Sequence, residues 1–385
     1  MILTKEAWLN LYKNKISERD YDILNKAYDV LESNTVCNAS YPWGERRVVL
    51  PWIKNNFSGI WNWDSAFHGL TVSRFDTDLA KNCIEIFLEY QEPDGFLPDV
   101  IFTNGNIENR CSKPPVMAYA AVEIYKRDGD INFLEKVYPK LCQNVNFWET
   151  QRQYNGLFFY SSQRDIEKDF YVLARYESGW DNSSRWDTPI IDLWPIDLNC
   201  YMVMTYRALE EMAKIQGFDS KPWKEKSEVL SHLIEERLFD EAQGSYVDVN
   251  RHTGAGITVL SPASFMPLFI GTASKEHAEK MARLATDESK FYPGMPTVSY
   301  DHPTYSTDYW RGPTWLNVAY FAAKGLKDYN YGTIADGIKE HILNMIYQNL
   351  ENGIFENYDS LAQKGLCWHN FGWSAAFAIE FILNF

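Results

Sequence analysis

The chain has 385 residues and a formal net charge of −15, from 37 Lys and Arg against 52 Asp and Glu, and 16% of its residues are aromatic, including 14 Trp. This acidic balance, without any basic run, excludes a surface that follows phosphates, so we expect neither nucleic acid nor a membrane as a partner. Charges interrupt every apolar run before it reaches the length of a signal-peptide core or a membrane span, and we expect a cytoplasmic protein.

Segments with a helical period of 3.6 residues recur along the chain and alternate between two kinds. One kind is amphipathic and highly charged, and it occupies residues 18–34, 76–91, 130–152, 219–238, 274–287 and 332–351. The other kind is almost free of charge and must be buried on all sides. It occupies residues 63–75, 112–128, 196–217, 261–270, 312–328 and 370–385. Charged and apolar helices in strict alternation predict two concentric rings, which is the all-α (α/α)₆ barrel.

The connections between these helices indicate one functional end. Those that lead from a charged helix to an apolar one are long, whereas the return connections are nearly absent, so the long loops should all emerge at one mouth of the barrel. Strand-like runs at 156–162 and 244–249 predict short β-hairpins at that mouth. The alternative of a helical solenoid lacks a repeat of fixed period. No linker divides the chain, and we expect residues 1–385 to form a single catalytic domain.

The six cysteines are scattered, with no C-x-x-C pair and no histidine spaced to join them in a metal site. In the absence of a secretory signal we interpret them as reduced thiols that mostly fill the core. Motifs for nucleotide binding, for a serine nucleophile and for catalytic zinc are also missing. The sequence therefore predicts no metal and no cofactor, although a structural cation in a loop stays open, and it does not indicate the oligomeric state.

Most of the tryptophans lie in the long loops or at the start of an apolar helix. Only Trp8, Trp148 and Trp223 lie elsewhere. Any single indole among the others is best explained by packing. A group of indoles at one mouth, beside carboxylates, instead suits the apolar faces and hydroxyl edges of a sugar.

Carboxylates are few in these loops, and two segments place them among aromatic residues. ESGWDNSSRWD contains Glu177, Asp181 and Asp187 among Gly and Trp, and the alternative for an aspartate here is a turn or capping residue. FENYD places Glu356 in aromatic company, where a raised pKa is expected. Glycoside hydrolysis needs two carboxyl groups, one to protonate the leaving oxygen and one to activate water. The residues alone therefore favour a glycosidase that uses these two loops, without assigning acid and base.

A family resemblance becomes specific at these segments. The motifs that carry it, in chain order, are WNWDSAFHG (61–69), PDGFLPD (93–99), KPP (113–115), ESGWDNSSRWD (177–187), YWRGPTW (309–315) and FENYD (355–359) followed by FGWSAA (371–376). They resemble the motifs of glycoside hydrolase family 63 and of the related trehalases of family 37, from about residue 40 to the C-terminus. This resemblance implies an (α/α)₆ barrel, inversion of configuration and α-glycosidic substrates.

The resemblance also implies roles for individual residues. It makes Asp181 the general acid and Glu356 the general base, and an inverting pair of this kind is about 6.5–9.5 Å apart. It places the sugar of the cleaved position between Trp63 and Asp64. The other predicted substrate-binding residues are Trp61, Lys113, Gly179, Trp180, Trp310, Arg311, Trp315 and Trp373.

One position departs from the family pattern. Many relatives have Gln directly before the Pro-Pro of the third motif, and this chain has Lys113. A point charge in place of an amide changes which groups can be recognised. Two interpretations stay open, namely a lysine that points to solvent and a lysine that binds a carboxylate or phosphate of the substrate.

The substrate that we expect is a small carbohydrate. The compact chain is most like the enzymes that hydrolyse mannosylglycerate or glucosylglycerate, and a short α-oligosaccharide is a further option. The alternatives are a trehalase-like or α-glucosidase activity on α-linked disaccharides. A sugar epimerase on a similar barrel would need paired histidines, and a non-catalytic sugar-binding protein would tolerate the loss of one carboxylate.

Overall fold

The computed structural model describes residues 2–53, 58–162 and 170–385. In chain order, the α-helices of these residues are α1 (Lys5–Asn10), α2 (Glu18–Ser33), α3 (Asn62–Val72), α4 (Thr77–Glu89), α5 (Met117–Asp128), α6 (Ile131–Gln151), α7 (Phe170–Ser178), α8 (Ile196–Gln216), α9 (Lys221–Arg237), α10 (Met266–Phe269), α11 (Lys275–Ala285), α12 (Leu316–Asp328), α13 (Gly332–Gln348) and α14 (Gly372–Leu383). The predicted alternation of charged and apolar helices is confirmed, and α1 and α7 are additional helices that the sequence did not indicate.

The apolar helices form a closed inner ring. Each of α3, α5, α8, α10, α12 and α14 packs against the next, and α14 packs against α3 to complete the circle. The charged helices α2, α4, α6, α9 and α13 each pack on the outside of an inner helix, and the sixth charged helix, α11, packs beside residues Ser245–Tyr246. This arrangement is the (α/α)₆ barrel that the sequence predicts.

Burial explains which helices form which ring. Every residue of α3 is buried, and so is the continuous run from Gly372 to Phe381 in α14. The outer helix α9 buries only Ser227, Leu230 and Ile234, which lie on one face at helical spacing. A helix that is apolar all round is stable only where other helices cover it, so the composition of each helix selects its ring.

The fourth inner helix is shorter than predicted. In place of a helix over 261–270, the chain forms a 3₁₀ turn at Pro262–Phe265 and then the single turn of α10. Two prolines, Pro262 and Pro267, account for the difference, because proline has no backbone N–H to donate and is favoured in the first turn of a helix, where each of these two lies.

Short antiparallel hairpins lie in the long connections between the helices, as predicted from the runs at 156–162 and 244–249. The strands are β1 (Thr35–Val36), β2 (Val48–Val49), β3 (Gly59–Trp61), β4 (Val100–Phe102), β5 (Ile107–Glu108), β6 (Gln153–Tyr154), β7 (Leu157–Phe158), β8 (Leu193–Trp194), β9 (Phe239–Asp240), β10 (Ser245–Tyr246), β11 (Val249–Asn250), β12 (Phe355–Asp359) and β13 (Lys364–His369). They pair as β1–β2, β3–β4–β5, β6–β7, β8–β11, β9–β10 and β12–β13.

Two predictions about the whole chain can be compared with the fold. All six cysteines are free, and Cys83, Cys111 and Cys200 are buried in the core, as expected of reduced thiols. Within the described ranges, no helix is both long and apolar enough to cross a membrane.

Candidate active site

A pocket of about 420 Å³ opens at the mouth of the barrel, where several inner helices begin. Trp63 and Asp64 belong to the first turn of α3, and Trp373 belongs to the first turn of α14. The lining residues are Trp52, Trp61, Trp63, Asp64, Lys113, Gly179, Asp181, Tyr309, Trp310, Glu356, Phe371 and Trp373. Both predicted catalytic carboxyl groups and most of the predicted substrate-binding residues therefore lie around one cavity.

The structure separates the three carboxylates of the 177–187 segment. Glu177 is buried and accepts hydrogen bonds from the Arg152 guanidinium at 3.0 and 3.1 Å and from the Ser161 backbone N–H at 2.7 Å. Asp187 forms a bidentate ion pair with Arg311. Only Asp181 lines the pocket. Sequence reasoning selected the segment, and the ion pairs leave Asp181 as its carboxylate that faces the pocket.

Gly179 brings the Asp181 loop against the pocket wall. Helix α7 ends at Ser178, and Gly179 follows with a φ of +73°, the left-handed conformation that commonly ends a helix. A Cβ atom on Gly179 would lie 2.4 Å from the Trp63 ring. Both the backbone conformation and the contact require glycine here, so Gly179 allows the loop that carries Asp181 to lie directly on the indole of Trp63.

Arg311 is a predicted substrate-binding residue that does not line the pocket. Its guanidinium pairs with Asp187 at 2.8 and 2.9 Å and donates to the Asn182 backbone oxygen at 3.2 Å. The Asn182 side chain accepts from the Trp310 backbone N–H at 2.9 Å and donates to Asp308. These bonds fasten the loop that carries Asp181 to the loop that carries Trp310, so Arg311 holds the two walls of the pocket together.

Trp180 and Trp315 also lie behind the pocket rather than on it. Both are completely buried. Trp315 stacks on Trp310 with ring centroids 3.8 Å apart, and Trp180 contacts Trp310 at 4.8 Å. The lining indole Trp310 is therefore held between two supporting indoles, which fixes the plane that it presents to a ligand.

Aromatic rings cover the remaining walls in two groups. Trp63 and Trp373 meet edge to face at 5.2 Å, deep in the pocket beside Trp310. Nearer the entrance, Trp52 stacks on Trp61 at 5.3 Å and on Phe371 at 5.4 Å. Flat apolar surfaces beside buried carboxyl groups are the arrangement that binds the two faces of a sugar ring.

Glu356 lies at an irregularity in the β12–β13 hairpin. Phe355 pairs with His369 and Asn357 pairs with Leu366, so the register shifts at the residue between them. The extra residue of this bulge lies in β13, so that the single residue Glu356 lies opposite Cys367 and Trp368. Glu356 lines the pocket. Burial raises its pKa to about 7, and the hydrogen bond that its Oε1 accepts from the Tyr309 hydroxyl at 3.0 Å opposes that rise.

The pKa values of the other pocket carboxyl groups, Asp181 and Asp64, are also raised. Removal from water raises the pKa of Asp181, and the Lys113 ammonium opposes the rise. Burial raises the pKa of Asp64 well above its ordinary value, again against the effect of Lys113. The Asp181 charge also raises the pKa of Glu356. Burial and neighbouring charges thus both act on the pKa values of these carboxyl groups.

Lys113 does not point to solvent, which corrects one of its two interpretations. The lysine is buried, and its ammonium donates to Asp99 Oδ2 at 3.1 Å and to the backbone oxygen of Tyr176. It nevertheless forms part of the pocket lining. Burial raises the pKa of Asp99 to about 6, and the ammonium limits that rise.

Sequence reasoning missed three lining residues, which are Trp52, Tyr309 and Phe371. Tyr309 and Phe371 are the first letters of two motifs that were recognised for their later tryptophans and arginine. A tyrosine that precedes a recognised tryptophan is a signal that could have been used, because a phenol can hold a catalytic carboxylate. Within residues 2–53, 58–162 and 170–385, no group of three or more His, Cys, Asp or Glu side chains is arranged to hold a metal ion.

Known proteins are similar to this chain in sequence and in fold. A family model described as the mannosylglycerate hydrolase MGH1-like glycoside hydrolase domain matches residues 58–374. The mannosylglycerate hydrolase of Rubrobacter radiotolerans is 23% identical over 413 residues, which cover 84% of this chain and 90% of that protein.

Solved structures give the same result for the fold. The family 63 mannosylglycerate hydrolase of Thermus thermophilus, in complex with glucose, has a TM-score of 0.78 at 23% identity and covers 93% of this chain and 99% of its own. The neutral trehalase of Saccharomyces cerevisiae has a TM-score of 0.71 at 19% identity, covering 92% and 78% respectively. The chain is a glycoside hydrolase, and it belongs to the family of mannosylglycerate hydrolase MGH1-like glycoside hydrolases.

Proposed function

We propose that the protein hydrolyses the α-glycosidic bond of a small glycoside with inversion of configuration, using Asp181 as general acid and Glu356 as general base. The observation that carries the proposal is that these two carboxyl groups, from two different loops, line one aromatic pocket. The neighbouring candidates Glu177 and Asp187 are held in ion pairs outside it.

The mechanism requires a protonated Asp181 and an ionised Glu356 in the complex with the substrate. Asp181 donates its proton to the glycosidic oxygen as the bond from that oxygen to the anomeric carbon breaks. Glu356 removes a proton from a water molecule, whose oxygen forms the new bond to the anomeric carbon from the opposite face. Each turnover leaves Asp181 ionised and Glu356 protonated, and exchange with solvent restores the starting state.

Two other classes of function fit the pocket less well. A sugar epimerase would use histidine as acid and base, and none of the described lining residues is a histidine. A sugar-binding protein without catalysis has no need for two carboxyl groups with raised pKa values in one aromatic pocket. Both observations support hydrolysis.

Proton NMR of the first product tests the proposal directly. A panel of α-linked glucosides and mannosides, including trehalose, glycosylglycerols and glycosylglycerates, is incubated with the protein and followed from the first seconds. We expect the sugar released from the cleaved position to appear first as the β-anomer and to give the α-anomer only by mutarotation, except that trehalose, whose leaving group is itself α-glucose, should release both anomers at once in equal amounts. Release of the α-anomer first would refute inversion, and hydrolysis of no member of the panel would refute the function.

Tyr309→Phe is expected to move the acidic limb of the pH profile. Glu356 must be ionised to accept a proton, so kcat/KM falls as the pH is lowered through the pKa of about 7. The Tyr309 hydroxyl stabilises the ionised form. Its removal raises the pKa of Glu356 further, and the limb should shift to higher pH.

The matched control is Tyr305→Phe, which removes a hydroxyl from the same loop without removing the one bonded to Glu356. The measurement is kcat/KM between pH 4 and 9 for all three proteins, on one substrate. A limb that stays in place in Tyr309→Phe, or that moves equally in both variants, would contradict the role of Tyr309.

A further inference from the structure

Trp368 is the most exposed tryptophan of the chain. All 14 tryptophans lie in the described ranges, and Trp368 is 46% exposed, whereas the others are buried or half-buried. Single exposed apolar side chains are common on protein surfaces, so exposure alone indicates no function. What distinguishes Trp368 is the set of rings that it contacts.

Trp368 extends the aromatic wall of the pocket towards solvent. It belongs to β13 of the hairpin that carries Glu356. Its ring is nearly parallel to that of Trp52, with an angle of 6° between the planes and 6.0 Å between the centroids. Trp52 stacks on Trp61, and both of these indoles line the pocket. We name Trp52, Trp61 and Trp368 the outer platform.

Exposure to solvent increases along this wall. Trp63 and Trp373, in the deep part of the pocket, are buried. Trp52 and Trp61 are half-buried, and Trp368 follows at the solvent side. When a sugar occupies the deep part, its leaving group has to extend towards solvent, and the outer platform lies along that direction.

A flat indole with one side in water suits a pyranose ring. The C–H groups on one face of the pyranose stack on the indole, and the hydroxyl groups at its edge stay hydrated. A three-carbon leaving group such as glycerol or glycerate has no ring face to offer. Stacking on the outer platform can therefore stabilise only a leaving group that contains a ring.

We propose that the outer platform is a second carbohydrate subsite, which stacks on a pyranose ring in the leaving group and adds α-linked disaccharides and oligosaccharides to the substrates of the enzyme. This inference rests on the proposed function and extends it beyond small leaving groups. It makes no distinction between charged and neutral leaving groups, and glycosides of glycerol or glycerate simply gain nothing from Trp368.

Trp368→Leu tests the subsite, because it removes the flat ring and keeps an apolar side chain against Trp52. The backbone N–H of Trp368, which donates a hydrogen bond to Glu356, is retained. KM is measured for glycosides of one sugar with glycerol, glycerate or glucose as the leaving group. We expect KM for the disaccharide to rise about 10-fold, which corresponds to the loss of one ring stack, and KM for the other two glycosides to change by less than about 2-fold.

Two further variants show whether the flat ring is responsible. Trp368→Tyr keeps a flat ring and should retain most of the affinity for the disaccharide. Phe218→Leu is the matched control, since Phe218 is 54% exposed and stacks on Tyr138 at 5.6 Å, but lies between α8 and α9, at the end of the barrel opposite the mouth. It should leave all three KM values unchanged. An equal rise of KM for all three glycosides in Trp368→Leu would overturn the inference.

Acrylamide quenching of tryptophan fluorescence tests the subsite in the parent protein, without any variant. Acrylamide reaches Trp368 most easily, because it is the most exposed indole. The ligands are thioglycosides, whose sulfur linkage resists hydrolysis, with either glycerol or glucose beyond the sulfur. At saturation, the disaccharide analogue should lower the quenching constant by more than the glycerol analogue, because only its second ring covers Trp368. Equal protection by both analogues would contradict the subsite.

The subsite and the proposed function fail in different ways. Hydrolysis of the glycerol or glycerate glycoside, but of no disaccharide in the NMR panel, would overturn the subsite and leave the proposed function in place. A disaccharide KM that Trp368→Leu does not alter would have the same consequence. Hydrolysis of no member of the panel would instead refute the proposed function and the inference with it.

Discussion

Asp181→Asn and Glu356→Gln are each expected to lower kcat on an alkyl glycoside by about 10²–10⁴-fold, the usual contribution of a general acid or base. Each change replaces a carboxyl group by an amide of the same shape. The free energy of unfolding should therefore stay close to that of the parent, as measured by urea denaturation, because neither carboxyl group takes part in an ion pair among the described residues.

The nature of the leaving group distinguishes the acid from the base. A glycosyl fluoride departs with little help from an acid, so Asp181→Asn should recover most of its lost activity on the α-fluoride of the same sugar. Glu356→Gln should remain slow on both substrates, because water still has to be deprotonated. The reverse pattern would exchange the two roles, and full activity of either variant on the alkyl glycoside would remove that residue from the mechanism.

Asp187→Asn is the matched control, since it makes the same change in the same segment. The Asp187 side chain is 50% exposed and faces Arg311 rather than the pocket. Its loss should reduce kcat by far less than the loss of Asp181. If the two variants lose activity equally, the segment is sensitive to any change and Asp181 has no special role.

The barrel was predictable because the amino-acid composition of each helix indicates how much of its surface is buried. An inner helix such as α14, with Glu380 as its single charged residue, cannot be stable in water. The length of α10 was not predictable from the same pattern, because Pro262 and Pro267 act on the backbone and leave the apolar composition unchanged. Helix α7 was missed inside a long loop, although Gly179 at its end is the residue that commonly follows a helix.

The site was predictable as a set of motifs but not as a set of orientations. The motif YWRGPTW does not distinguish the roles of Trp310 and Trp315. In the structure, Trp310 lines the pocket and Trp315 stacks behind it. Likewise, the choice between Asp181 and Asp187 depends on Arg311, which lies far away in the sequence. The orientation of Lys113 was not predictable either, since it depends on hydrogen bonds to Asp99 and to the Tyr176 carbonyl oxygen. Ion pairs and ring contacts with residues elsewhere in the chain therefore determine which side chain of a motif lines the pocket.

Arg185→Leu is expected to destabilise the protein by about 3–5 kcal/mol, the cost of leaving buried charges unpaired. Arg185 is 1% exposed, and its guanidinium forms paired hydrogen bonds of 2.8–2.9 Å with Asp197 and with Asp248. It also lies over the rings of Trp180 and Trp186 at 4.6 and 4.4 Å. These contacts tie the segment that carries Asp181 to the first turn of α8.

Urea denaturation measures this prediction, with Arg311→Leu as the control. Arg311 also binds the segment that carries Asp181, through two hydrogen bonds to Asp187, but its side chain is 24% exposed and that of Asp187 is 50% exposed. An exposed pair of this kind contributes at most about 1 kcal/mol. If the two leucine variants lose the same free energy of unfolding, burial of the Arg185 cluster does not hold the segment in place.

A third variant locates the cost within the Arg185 cluster. The change of Arg185 to Leu combined with Asp197→Asn and Asp248→Asn removes the two unpaired carboxylates together with the guanidinium. It should recover part of the lost free energy of unfolding, because neutral amides in the same space are less costly to bury than charges. If the free energy of unfolding does not recover, the packing of the guanidinium against Trp180 and Trp186, rather than its charge, holds the segment that carries Asp181 against the inner ring.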